Sequence, residues 1–181
     1  IFPLKFIKKN FNIYFPFFLR HIGANMVWAI FPLYLVSLGA NKFWIGIIYF
    51  MNSGTQFLVM QKLDRFDYKK LILIGEIASI IVFFLYALAT SYIQIMPIQL
   101  LLGISWSCLY VGSVIHLVKE NVERATAVSI LNSVLSFSAI LGPLLGGIVT
   151  YIYDYHTVMY LASILTLIGL VSTGNLRLKF K

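Results

Sequence analysis

The amino-acid sequence predicts an all-α membrane protein with six transmembrane helices. Hydrophobic residues make up 60% of the chain and charged residues only 11%, whereas an ordinary soluble domain is about 25% charged. The mean hydropathy is +0.90. The apolar residues form long continuous runs without the alternation of a lumen-lined strand, which favours helices over a barrel. A water-soluble fold is therefore excluded.

Six apolar runs are long enough to cross a bilayer, because about 20 helical residues span a hydrocarbon core of roughly 30 Å. They cover residues 12–37, 43–63, 69–91, 94–117, 124–150 and 156–176. We interpret residues 12–176 as one transmembrane bundle. Residues 1–11 are then the end of a cytoplasmic linker, and residues 177–181 form a cytoplasmic tail.

The placement of basic residues tests this count independently. Six spans put both termini, the second-to-third loop and the fourth-to-fifth loop on one side of the membrane. That side carries Lys5, Lys8, Lys9, Lys62, Arg65, Lys69, Lys70, Lys119, Arg124, Arg177, Lys179 and Lys181. Only Lys42 lies on the other side. The positive-inside rule then predicts a multi-pass plasma-membrane protein in the lipid bilayer, with both termini cytoplasmic.

Other classes of protein find little support in the residues. The net charge of +8 does not suggest nucleic-acid binding, because the basic residues do not gather on a polar surface. Cys108 is the only cysteine, so no intrachain disulfide or cysteine-based metal cluster is available. No H-E-x-x-H, G-x-S-x-G or phosphate-binding Gly-rich loop occurs. We expect no enzymatic activity, no metal and no cofactor.

The cytoplasmic loop KLDRFDYKK, residues 62–70, carries the first resemblance to a known family. It resembles the signature loop of the major facilitator superfamily of secondary transporters, which reads roughly G-x-x-x-D-R-x-G-R-K. The matching positions are Asp64, Arg65 and Lys69. The departures are Met60, Asp67 and Tyr68, where the family has Gly, Gly and Arg.

A second resemblance lies in the fifth span, where residues 142–147 read GPLLGG. This is similar to the family's fifth-helix pattern G-x8-G-x3-G-P-x2-G-G, with Ser129 and Ser138 at the two earlier glycine positions. Small residues at this spacing let helix backbones approach closely, and proline bends a helix by removing a hydrogen bond. We expect helix packing at Gly142, Pro143, Gly146 and Gly147.

The resemblance implies an architecture and a function. Family members normally have twelve helices in two halves, and each half consists of two inverted three-helix repeats. Six spans fit one half, and we interpret the chain as the C-terminal half, because an N-terminal half would begin at its own Met and carry the better loop motif. The implied function is transport of a small-molecule substrate by alternating access, with the other six-helix half as partner.

Polar residues inside the spans are candidates for the substrate cavity, because such groups are costly in a membrane. They are Arg20, His21, Asn25, Asn52, Gln56, Trp106, Tyr110 and Asn132. The amide side chains have an alternative role as interhelical hydrogen bonds, and the aromatic residues have one in packing.

Two interpretations of Arg20 remain open at this point. Glu76 lies at a similar depth, so the two residues can form a structural ion pair or proton-coupling pair. A cavity-facing Arg20 would instead favour an anionic or carboxylate-bearing substrate, since guanidinium binds such groups bidentately. Proton coupling through His21, His116 and Glu76 is a further hypothesis. His156, in the outer turn, is expected to be solvated.

The loop with Asp64, Arg65 and Lys69 has two interpretations as well. In the family this loop latches the cytoplasmic side, which makes it a candidate gating loop; the alternative is a basic loop that only fixes topology. Asp67 is placed to cap the third span. The rival functions are a six-helix substrate-capture subunit of an energy-coupling-factor importer and a non-transporting membrane scaffold or sensor.

Overall fold

The computed structural model describes residues 4–173, which form helices along almost their whole length. The α-helices are α1 (Leu4–Lys9), α2 (Phe11–Ser37), α3 (Lys42–Met60), α4 (Tyr68–Leu88), α5 (Tyr92–Glu120), α6 (Arg124–Ile152) and α7 (Tyr155–Thr173), with a 3-10 turn at Leu63–Arg65. Within this part of the chain, α2 to α7 are long and apolar enough to cross a membrane. The six predicted spans are confirmed to within a few residues.

Some of the residues used to predict the topology are not among the described residues. Arg177, Lys179 and Lys181, together with the predicted tail at 177–181 and the end of the last span at 174–176, lie outside the described residues. The short helix α1 occupies the segment that the sequence predicts as a linker end.

The helices pack as two interlocked triplets. The first triplet is α2, α3 and α4, and the second is α5, α6 and α7. The leading helix of the first triplet, α2, packs on α6 and α7. The leading helix of the second triplet, α5, packs on α3 and α4. The third helices, α4 and α7, pack on each other. Exchanging the triplets reproduces the same contacts, which is the pattern expected for two inverted three-helix repeats.

Glycines set the closest helix contacts. A Cβ on Gly146 would lie 2.5 Å from the carbonyl oxygen of Met26, and one on Gly75 would lie 2.6 Å from the backbone nitrogen of Leu109. Gly142 meets Asn25 of α2 in the same way. A Cβ on Gly147, by contrast, would have nothing within 4 Å. The GPLLGG segment therefore divides its glycines between an inner contact with α2 and an outer face of α6.

Side-chain caps mark where the helices begin. The Asp67 carboxylate accepts hydrogen bonds from the backbone N–H groups of Lys69 (2.8 Å) and Lys70 (3.2 Å), so the predicted cap of α4 is confirmed. Asp154 accepts one from Thr157 at 2.7 Å before α7, and this hydrogen bond lowers the pKa of its carboxyl.

The end of the bundle that holds α1 is closed by paired amides. Asn10 and Asn121 each donate an N–H to the other's side-chain oxygen at 3.1 Å, and both are almost fully buried. Lys9 donates to the backbone carbonyl of Glu120 beside them. These bonds fasten the start of α2 to the junction between α5 and α6.

The opposite end is held by carbonyl contacts at the C-terminus of α4. The Tyr34 hydroxyl donates to the carbonyl oxygen of Tyr86, and the His156 ring donates from Nδ1 to that of Ala87 at 2.8 Å. These bonds satisfy carbonyls that a helix end leaves without intrahelical partners. The prediction that His156 is only solvated is therefore wrong, because its half-buried ring caps α4.

We expect Gly146→Ala to destabilise the bundle and Gly46→Ala to leave it unchanged or slightly more stable. The new Cβ at Gly146 would meet the α2 backbone, and overpacking of this kind costs about 1–3 kcal/mol. Gly46 lies in α3 with nothing within 4 Å, and Ala is the better helix former. Thermal unfolding of the purified full-length protein in detergent measures both variants. Equal unfolding temperatures would contradict the close contact.

Candidate functional site

A cavity of about 260 Å³ opens between α2, α3 and α5. The side chains around it, called the cavity below, are Arg20, His21, Ala24, Trp28, Asn52, Ser53, Gln56, Leu102 and Trp106. Five of the predicted cavity residues are among them: Arg20, His21, Asn52, Gln56 and Trp106. The helical register thus brings together polar groups from three separate spans.

Arg20 is the most polar group of the cavity, although only 2% of the residue is exposed. Its Nε donates to the Ser79 hydroxyl at 3.0 Å, and its guanidinium carbon lies 5.0 Å from the centre of the Trp106 ring. Ser79 lies 2.6 Å from the Ser105 hydroxyl, which itself donates to the Gly75 carbonyl at 2.8 Å. Since Ser105 uses its hydrogen there, Ser79 donates to Ser105, and the bonds form one continuous chain from Arg20.

Glu76 and Arg20 are not joined by a hydrogen bond in the described part of the chain. Its residue is 0% exposed, and within residues 4–173 neither carboxylate oxygen has a hydrogen-bond partner. The guanidinium uses Nε on Ser79 and lines the cavity instead. Of the two interpretations left open by the sequence, the described geometry is that of a cavity-facing Arg20.

Aromatic rings form one wall of the cavity. The His21 ring stacks on Trp106 with centres 5.1 Å apart, and Tyr110 stacks on Trp106 at 5.5 Å. Tyr110 is therefore next to the cavity without lining it. Trp28, which also lines the cavity, has its ring centre 5.1 Å from that of Tyr49.

Three amide side chains form a hydrogen-bonded chain, and two of them, Asn52 and Gln56, line the cavity. Gln56 donates to the Asn52 oxygen, and Asn52 donates to the Gln99 oxygen at 2.9 Å. Gln99 is 0% exposed, and its Nε2 has no partner among the described residues. Gln99 was not a predicted site residue, although its spacing of seven from Trp106 places both on one face of α5.

Two predicted residues lie apart from the cavity. Asn25 donates to the His21 backbone carbonyl at 2.9 Å and packs against Gly142, so it serves the contact between α2 and α6. Asn132 is exposed on α6.

The comparison with known families decides what this membrane bundle is. Residues 13–178 match the family described as Major Facilitator Superfamily. The chain belongs to the major facilitator superfamily. It is a multi-pass membrane protein of a family of transporters that carry small molecules across the bilayer. A search of curated proteins finds no match.

Family membership gives meaning to the loop between α3 and α4. Asp64 and Arg65, at the major facilitator motif positions, are exposed in the 3-10 turn, and Lys69 is half-buried in the first turn of α4. The residues that depart from the motif have contacts of their own. Asp67 caps α4, and the Tyr68 hydroxyl donates to the Glu120 carboxylate at 3.0 Å.

Tyr68 is a contact that motif comparison alone misses. Its ring lies 5.4 Å from that of His116 and 5.5 Å from the Lys119 nitrogen, so this major facilitator loop is joined to the end of α5.

Across residues 4–173, no group of three His, Cys, Asp or Glu side chains could hold a metal ion.

Proposed function

We propose that this chain forms one half of a secondary transporter that moves a small carboxylate-bearing solute by alternating access. The observation that carries the proposal is the buried guanidinium of Arg20 at the wall of the cavity. Alternating access around a site between two bundles is the general mechanism for such repeat architectures.

The chemistry of Arg20 supports a carboxylate. Among the described residues, only the Nε of its guanidinium has a hydrogen-bond partner, Ser79. The two terminal nitrogens remain for a ligand, and they form the planar fork that binds a carboxylate with two parallel hydrogen bonds. Gln56 and Asn52, which line the same cavity, supply further polar contacts.

We expect Arg20→Gln to abolish carboxylate binding and Arg20→Lys to weaken it, because ammonium lacks the planar fork. The measurement is the rise in melting temperature of the purified full-length transporter with lactate or succinate, compared with the neutral lactamide and succinamide. Lys42→Gln, a charge change far from the cavity, is the matched control.

The proposal fails if the amides stabilise the unaltered protein as well as the acids do. It also fails if Arg20→Gln leaves the shift produced by the acids unchanged.

We further propose that the partner is a second six-helix bundle facing α3 and α6, with this chain as the C-terminal half. These two helices are the least buried of the six. On α6, the outward-facing Pro143 and Gly147 form part of an open apolar groove, and small residues permit close approach of another helix. Asp64 and Arg65 are exposed and free to act as the gating loop against that bundle. Six further spans in the same reading frame would supply the partner.

We propose a plasma-membrane orientation in which the end that holds α1 is cytoplasmic. Lys9 contacts Glu120 and Lys119 contacts Tyr68, so the loops predicted to share one side do meet at one end of the bundle. In intact cells, an impermeant reagent should label a cysteine at position 42 and not one at position 8, in a background without Cys108. Equal labelling of both positions would contradict this orientation.

We propose proton coupling through Glu76, the buried carboxyl near Arg20. Gain or loss of a proton there changes the electrostatic potential at the Arg20 guanidinium, and hence how strongly Arg20 holds an anion. His21 stacks within the cavity and His116 lies against Tyr68. Because a change of charge on Glu76 acts on Arg20, we propose that Glu76 carries the proton, with His21 in the cavity as the second candidate.

We expect Glu76→Gln to uncouple lactate uptake from a proton gradient in vesicles that contain the full-length transporter. Exchange of lactate without a gradient should persist. His116→Gln is the control, and vesicles without protein measure passive entry. If uptake by both Glu76→Gln and His21→Gln responds to the gradient as strongly as uptake by the unaltered transporter, the hypothesis fails.

A further inference from the structure

A narrow apolar crevice continues from the cavity. Its walls are Val27, Trp28, Phe31, Phe83, Tyr86 and Leu102, and it has no room for a water molecule. Trp28 and Leu102 line both the cavity and the crevice. The Phe83 ring lies 5.7 Å below the Arg20 guanidinium carbon. The crevice therefore begins directly beside the proposed carboxylate site.

One residue that lines the crevice, Tyr86, has a buried hydroxyl without a partner among the described residues. The Tyr86 residue is 1% exposed, and within the described part of the chain its hydroxyl has no hydrogen-bond partner. Its ring lies 5.3 Å from that of Phe31. Buried hydroxyls nearly always have partners, and those that lack one call for an explanation. A ligand group that reaches this hydroxyl would supply the missing bond.

We infer that the transported solute is an amphipathic organic carboxylate, with its carboxylate at Arg20, its apolar body in the crevice and a polar group bonded to the Tyr86 hydroxyl. This inference rests on the proposed function and deepens it. Aromatic walls that exclude water favour a planar apolar body, which stacks on rings or meets their edges. Tyr86 then determines specificity among carboxylates.

Entry into the crevice requires its walls to separate. Trp28 is the half-buried wall residue that also lines the open cavity, and its ring packs against the rings of Phe31 and Tyr49. Access to the crevice therefore requires this side chain to rotate, which would join the two spaces. A solute without an apolar body has no such path and stays in the polar part.

The test measures binding of acetate, benzoate and 4-hydroxybenzoate to the purified full-length transporter by titration calorimetry. We expect benzoate to bind at least tenfold more tightly than acetate, and 4-hydroxybenzoate more tightly again. In Tyr86→Phe, the affinity for 4-hydroxybenzoate should fall to that for benzoate, with acetate and benzoate unchanged. This variant removes only an unpartnered hydroxyl, so the fold is retained. Tyr160→Phe, on an exposed face of α7, is the matched control.

The outcomes separate the two proposals. If acetate and benzoate bind equally, and both depend on Arg20, the crevice inference is overturned while carboxylate transport stands. If Tyr86→Phe weakens all three probes alike, Tyr86 has a structural role and the inference is likewise overturned. If none of the three probes binds while lactate or succinate still stabilises the protein, only the crevice inference is overturned. If Arg20→Gln has no effect on the binding of any acid, both proposals fail.

Discussion

Burial of the Arg20 guanidinium is the constraint around which the centre of the bundle is arranged. A charge removed from water costs several kcal/mol unless neighbouring groups compensate for the lost hydration. Here α4 supplies Ser79 and α5 supplies Trp106 and Ser105. Their positions depend in turn on Gly75, whose missing side chain lets α4 approach Leu109 closely enough for the two serines to bond. A glycine contact and a buried charge are therefore parts of the same arrangement.

The dyad-like packing explains where the cavity opens. The leading helices α2 and α5 of the two triplets both line the cavity, and each packs on the second and third helices of the opposite triplet. The third helices turn apolar surfaces outwards, with residues such as Ile77 and Val171 exposed. Polar side chains of α2 and α3 gather at the cavity between α2, α3 and α5, which is the wall of the proposed pathway.

Hydropathy and charge were enough to predict the six helices, because crossing lipid demands long apolar runs with basic residues at their ends. Local chemistry also predicted the Asp67 cap, which depends only on neighbours in sequence. The site was less predictable, since a polar residue in a span does not reveal its partner. Asn25 packs against Gly142 instead of lining the cavity. Tyr86, which no motif or spacing in the sequence points to, lines the crevice through contacts between distant helices.

The chain of amides at the cavity wall has a direction. Each link joins the NH₂ of one amide to the carbonyl of the next, so no single member can turn over without setting like groups face to face. Gln56, Asn52 and Gln99 can reverse only together. Which end of the Gln56 amide is turned towards an incoming solute is therefore coupled to the orientation of Gln99, which is fully buried and does not line the cavity.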